Sequence, residues 1–86
     1  MANWKTMIEE EMRNRGEAWS DIVSSTLTDA EASKSFDDGF GGVEGQHFTV
    51  WTEKTVYFPV TYDGAEWAGS VSRHPDGRAT PHHGGG

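Results

Sequence analysis

The dipeptide Asp63-Gly64 lies between two runs of alternating apolar and polar residues, 55–62 and 66–73, and it constrains the fold more than any other feature. Asp-Gly is typical of the two-residue type I′ turn, which fixes the register of the strands that it joins. The sequence therefore predicts an antiparallel hairpin. The ring of Phe58 is expected to cover the bare backbone of Gly69. The full set of expected cross-strand pairs is Tyr62–Ala65, Val60–Trp67, Phe58–Gly69 and Val56–Val71.

A third alternating run, residues 47–51, precedes this hairpin and extends it to a three-stranded β-meander. The length of the connection decides which face of the sheet the side chains of that run occupy. A two-residue turn at Glu53-Lys54 would move Phe48 and Val50 away from the apolar face of the hairpin. We therefore expect a three-residue loop, residues 52–54, or a bulge.

The same register assigns residues to the outer face of the sheet. Trp51, Tyr57 and Thr61 are expected there, and aromatic side chains are typical anchors of protein interfaces. Pro59 cannot donate a backbone hydrogen bond, so it fits the meander only if pairing of the first strand stops near Phe48.

The first helix is predicted from four apolar residues at helical spacing, which are Trp4, Met7, Ile8 and Met12. The spacing predicts a helix over residues 4–15. Asn3 is suited to be its N-cap, and Gly16 is suited to end it.

The segment between this helix and the sheet is less determined. Residues 18–27 are compatible with a helical or an extended conformation, because their β-branched residues and serines favour neither strongly. Thr28 and Glu31 have the spacing of a capping box, which predicts a short helix from Asp29 to about Phe36. The expected fold is α+β, in which an N-terminal helix and one or two short helices pack on a three-stranded antiparallel β-meander. A single domain over residues 1–74 and a flexible tail over 75–86 are expected.

The chain carries a net charge of −7, which is concentrated in residues 17–46, before the sheet. The only basic residue of that segment is Lys34, and its acidic residues are Glu17, Asp21, Asp29, Glu31, Asp37, Asp38 and Glu44. Direct binding of nucleic acid needs lysine and arginine against the phosphates, so this charge argues against it. A basic protein partner is the natural complement.

No residue pattern predicts catalysis, a cofactor or a metal. The chain has no cysteine and no nucleophile elbow. His74, His82 and His83 could meet on a metal ion, but the tail offers no fixed scaffold beneath them. The N-terminus lacks the pattern of a signal peptide, and no run approaches the ~18 apolar residues of a membrane span. We therefore expect a cytoplasmic, non-enzymatic protein that does not bind a membrane.

Three runs of residues resemble a pattern in small acidic proteins of tailed phages and prophages. The presence of Trp4 together with the run Gly-Glu-Ala-Trp at 16–19 adds to this resemblance. The runs are 48–52 (Phe-Thr-Val-Trp-Thr), 56–60 (Val-Tyr-Phe-Pro-Val) and 62–67 (Tyr-Asp-Gly-Ala-Glu-Trp). Small acidic phage proteins of this kind are similar to anti-CRISPR and other anti-defence inhibitors. The resemblance implies an inhibitor that acts in the host cytoplasm as a DNA mimic, on a basic nucleic-acid-binding surface of a host protein or nucleoprotein complex.

These observations lead to a predicted partner-binding surface that combines the acidic segment with two aromatic residues of the sheet. Its residues are Glu17, Asp21, Asp29, Glu31, Asp37, Asp38, Glu44, Trp51 and Tyr57. The alternative is a phage structural or assembly component that self-associates, for example as a homodimer, through the apolar sheet face. A small-ligand or metal-binding domain is a third hypothesis.

Overall fold

A computed structural model describes residues 2–36, 45–62 and 65–80 of the chain. Within these residues, two helices, a short 3₁₀ turn and a four-stranded antiparallel sheet of order β1-β2-β3-β4 form the fold. The elements are α1 (Trp4–Arg15), the 3₁₀ turn (Trp19–Asp21), β1 (Ile22–Ser25), α2 (Asp29–Ser33), β2 (Val50–Thr52), β3 (Thr55–Tyr62) and β4 (Ala65–Ser72). The predicted α+β class is confirmed, but the sheet has four strands and not three. The predicted turn at Asp63-Gly64 lies outside the described residues.

Helix α1 has the predicted bounds. The side chain of Asn3 accepts a hydrogen bond from the backbone N–H of Thr6 at 2.8 Å, as an N-cap does, and Gly16 ends the helix. Trp4, Ile8 and Met12 lie on one helical face and are buried, which gives the helix its contact with the sheet.

The segment that the sequence left open contains the fourth strand. Ile22–Ser25 pairs with β2 around a β-bulge between Ile22 and Ser24, so tertiary pairing selects the extended form. Helix α2 begins with the predicted capping box, in which Thr28 and Glu31 bond each other's backbone N–H. The helix ends at Ser33, earlier than expected, because Phe36 instead forms an isolated bridge with Ala2.

The hairpin of β3 and β4 has the predicted register, including the pair Phe58–Gly69. A Cβ atom on Gly69 would lie 2.9 Å from Cε1 of Phe58 and 2.8 Å from Cγ2 of Val60. Both side chains therefore cover the bare backbone of this glycine, as expected for Phe58.

The connection between β2 and β3 differs from the expectation. Val50 pairs with Tyr57 and Trp51 with Val56, so the loop has two residues, Glu53 and Lys54. The expected three-residue loop is wrong, and so is its alternative, a bulge, because these two pairs follow each other without a register shift. The hydroxyl of Thr52 closes this turn by accepting hydrogen bonds from the backbone N–H groups of Thr55 and Lys54 at 3.0 and 3.3 Å. As a result, Val50 shares a sheet face with Tyr57 and not with the apolar side chains of the hairpin.

Pro59 fits in the sheet because pairing with β2 stops before it, as the sequence predicted. The register places Pro59 opposite Phe48, but β2 begins only at Val50. The missing N–H of Pro59 therefore faces a position where no described strand pairs with it.

Helix α1 packs on the Tyr57 face of the sheet, along β4, and α2 packs against α1 on the same side. The core between the layers consists of Trp4, Ile8, Met12, Leu27, Ala32, Phe48, Val50, Tyr57 and Ala68. The Trp4 ring packs against two other rings, with its centroid 4.9 Å from that of Phe36 and 4.7 Å from that of Phe48.

Candidate functional site

The face of the sheet opposite the helices is apolar. The alternation along each strand places seven large apolar side chains there: Trp51, Val56, Phe58, Val60, Tyr62, Trp67 and Val71. We call this surface the outer sheet face. Val60, near its centre, is buried, whereas Trp67 is 39% and Tyr62 53% exposed. Among the described strand residues, every position on this face is uncharged.

Trp51 lies on the outer sheet face, as predicted, and is half-buried. The expected placement of Tyr57 and Thr61 on that face is wrong. Tyr57 is fully buried beneath α1, and Thr61 is exposed on the same side of the sheet as Tyr57. The physical cause is that α1 packs on the face where β4 carries the small residues Ala68 and Ser70, and the two-residue β2–β3 connection adds Val50 to that same face.

Two predicted contact residues, Glu17 and Tyr57, meet inside the fold. The Tyr57 hydroxyl donates a hydrogen bond to Oε1 of Glu17 at 2.5 Å. Partial burial works against ionisation of Glu17, but hydrogen bonds from Tyr57, Thr52 and Thr55 outweigh it and lower the pKa of the carboxyl. Burial, and then the hydrogen bond and charge of Glu17, raise the pKa of the Tyr57 phenol. This pair joins the segment that follows α1 to the sheet, and the burial of Tyr57 leaves it no surface for a partner.

The other described acidic residues of the predicted partner-binding surface lie near the beginnings of separate helical turns. Asp21 accepts a hydrogen bond from the Ala18 N–H at 2.8 Å, and Glu31 accepts one from the Thr28 N–H at 2.8 Å. The bond from the Thr28 backbone, followed by the bond from Gln46, lowers the pKa of Glu31. Asp29 is exposed in the first turn of α2. Asp37, Asp38 and Glu44 lie outside the described residues.

Sequence reasoning assigned most of the outer sheet face to the core. It grouped Val56, Phe58 and Val60 correctly on one face but placed that face beneath the helix. The opposite face of β4 carries the small residues Ala68 and Ser70, over which a helix can pack closely. That pattern of small residues in β4 was the sequence signal that could have predicted which face the helix covers.

The described ranges 2–36, 45–62 and 65–80 contain no helix with the length and apolar character needed to cross a bilayer. Within the same ranges, no three His, Cys, Asp or Glu side chains come together as metal ligands would. His82 and His83 lie outside those ranges. No protein-family model, curated protein or solved structure matches the chain. Fold and surface together define a small α+β domain with helices on one sheet face and an uncharged apolar surface on the other.

Proposed function

We propose that this chain is a non-enzymatic protein-binding module and that the outer sheet face is its contact surface. The observation that carries the proposal is the exposure of Trp67 and Tyr62 within an uncharged apolar face. Tryptophan and tyrosine are the residues that most often anchor protein interfaces. β3 and β4 have eight residues each and are about 27 Å long, whereas β2 has three and is about 10 Å long. At a strand spacing of about 4.8 Å, the face measures roughly 300 Å². An apolar patch of this size on a small protein is often functional.

The charge of the chain indicates what kind of protein would bind. Asp21 and Asp29 are exposed, and the lowered pKa values of Glu17 and Glu31 keep their carboxyls ionised at neutral pH. With a net charge of −7, the chain attracts a basic partner and accelerates its association. A phage-type inhibitor that occupies a basic nucleic-acid-binding surface of a host complex combines both features, with aromatic anchoring on the sheet and acidic groups elsewhere on the chain.

The test uses a double variant of the two exposed aromatic residues, Trp67→Ser with Tyr62→Ser. In quantitative affinity capture from a host lysate, we expect wild type to retain a defined protein in a stoichiometric, salt-sensitive complex and the double variant to lose it. Thr61→Ala is the matched control, because Thr61 lies beside Tyr62 in β3 but on the opposite face. Asp29→Lys should weaken capture less than the aromatic variant does. Equal capture by the double variant and wild type would rule out the outer sheet face as the contact surface.

Self-association is the second candidate function, and the lack of charge on the outer sheet face favours it. Two copies could meet face to face without bringing their acidic residues together. Two faces of roughly 300 Å² bury roughly 600 Å² in total, less than the roughly 1,200 Å² of stable interfaces. A homodimer would therefore be weak, and we expect a monomer at micromolar concentration in sedimentation. A tight dimer under those conditions would instead favour a phage assembly component.

A further inference from the structure

The four-stranded sheet has two edge strands, β1 and β4, and the two edges differ in how well they are covered. Helix α1 packs along β4, where the guanidinium of Arg15 donates a hydrogen bond to the carbonyl of Ser70 at 3.0 Å. Ser70 is only 2% exposed and Ala68 only 4%. The backbone of β4 near these residues is therefore shielded from a further strand.

The edge at β1 is open. Residues 23–26 are all exposed, and Val23 is the most exposed large apolar residue of the described part of the chain. Among the described strands, β1 pairs with β2 alone. The run 22–28 has no charged residue and no proline, although proteins commonly place lysine or proline on an exposed edge to prevent pairing. An edge of this kind can accept an added strand.

The backbone of Ser25 carries the groups that would pair. The N–H of Thr26 donates to the carbonyl of Thr49 at 3.0 Å, so the backbone of Thr26 faces the β2 side. Because the backbone groups of successive strand residues point to opposite sides, the N–H and carbonyl of Ser25 point away from β2. An added antiparallel strand can form two hydrogen bonds with them. The β-bulge between Ile22 and Ser24 keeps such pairing short, so backbone pairing alone gives a low affinity.

Acidic residues lie at both ends of this edge and indicate what would bind there. Asp21 directly precedes β1, Asp29 begins α2, and both are exposed. No lysine or arginine occurs from residue 16 to residue 33. If two copies of the chain paired antiparallel through β1, the end with Asp21 would lie beside the end with Asp29 of the other copy, and like charges would repel. An extended segment with basic residues at both ends brings opposite charges together instead.

We propose that the β1 edge binds an extended, basic segment of a partner protein as a fifth, antiparallel strand. The backbone of Ser25 supplies the hydrogen bonds, and Asp21 and Asp29 supply the charge that selects a basic segment over other extended segments. These three residues are not part of the outer sheet face. The proposal therefore does not depend on that face being a contact surface.

The first experiment titrates the capped peptide Lys-Val-Thr-Val-Thr-Val-Lys into the isotope-labelled wild-type chain at low salt and follows the backbone amides by NMR. We expect the Ser25 amide signal to shift saturably and its hydrogen exchange to slow, while the amides of β4 stay unchanged. Proline in place of the central valine should abolish binding, because it removes a backbone donor. No response of Ser25, or a response of β4 in its place, would overturn the proposal.

The charge of the peptide tests the kind of partner. The same peptide with glutamate in place of both lysines should bind about fivefold or more weakly, since opposite charges become like charges at both ends. Equal affinity of the two peptides would overturn the assignment to a basic segment.

The second experiment changes the protein. Asp29→Lys should weaken binding of the lysine peptide about threefold or more and strengthen binding of the glutamate peptide. Glu10→Lys is the matched control, because it makes the same charge change at an exposed position of α1, which packs along the opposite edge of the sheet. The double variant Trp67→Ser with Tyr62→Ser should bind the lysine peptide as wild type does. If Glu10→Lys acts like Asp29→Lys, or if the double variant loses the peptide, the proposal is wrong.

Discussion

The hydrogen bond between Tyr57 and Glu17 makes a specific prediction about stability. Tyr57→Phe removes the hydroxyl and keeps the ring, which is fully buried beneath α1. A hydrogen bond to a charged group contributes about 1.5–3 kcal/mol. Glu17 is only partly buried and water can replace the lost donor, so the lower part of that range applies. We expect Tyr57→Phe to lower the free energy of unfolding by about 1–2 kcal/mol, which corresponds to at least about 4 °C in Tm for a domain of this size.

The dependence of this loss on pH distinguishes the hydrogen bond from a simple packing defect. The folded-state pKa of Glu17 lies below its ordinary value of 4.5. The resulting stabilisation is present above pH 4.5 and disappears as the pH falls through the folded-state pKa. The raised pKa of Tyr57 acts at the other end, because its stabilisation is complete below the ordinary value of 10.0 and is lost as the pH rises toward the folded-state pKa.

The assay is urea unfolding of wild type and Tyr57→Phe, followed by tryptophan fluorescence from acid to alkaline pH. The two stabilities should differ most near neutral pH and converge in acid, and only wild type should lose stability above pH 10. A double-mutant cycle with Glu17→Gln should show coupling between the two positions. A difference that stays constant across the pH range, with no coupling, would refute the role given to this hydrogen bond.

Two further substitutions test the local geometry. Gly69→Ala should destabilise the fold by about 1–3 kcal/mol in urea unfolding, because its Cβ would lie 2.9 Å from the Phe58 ring; a neutral result would contradict the close approach. Thr28→Ala should cost about 1 kcal/mol through loss of the α2 N-cap, and faster amide exchange confined to α2 should accompany it. Since the pKa of Glu31 is lowered, its contribution to this cap is present above pH 4.5 and lost as the pH falls further.

Local signals in the sequence were sufficient to predict α1 and the hairpin of β3 and β4. Asn3 and Gly16 bound the helix by backbone chemistry that needs no tertiary context, and a two-residue separation of the strands sets the hairpin register. The strand Ile22–Ser25 could not be predicted with equal certainty. It is extended because β2 offers it hydrogen-bonding partners, and those partners lie more than twenty residues away in the sequence.

The same limit explains why the sequence predicts the helix on the wrong face of the sheet. Alternation shows which side chains of β3 share a face, and it shows which face is more apolar. It does not show which face a helix covers. Here α1 covers the face with Tyr57 and Ala68, whose burial is completed by Trp4 and Phe48 from outside the hairpin. The more apolar face remains outside, so the contact residue Tyr57 was predicted on the wrong side, while Trp51 was predicted on the correct one.

This arrangement also bears on how tightly a partner can bind. The exposed parts of Trp67 and Tyr62 together amount to on the order of 200 Å², which at about 25 cal/mol per Å² corresponds to about 5 kcal/mol if a partner buries them fully. Association costs about 4–15 kcal/mol in lost translational and rotational freedom. The two aromatic residues therefore offset at most the low end of the cost of association, and the affinity must come from the half-buried apolar residues and from charge. With a net charge of −7, binding through the outer sheet face should weaken steeply with added salt, since screening removes the electrostatic part while the apolar part persists.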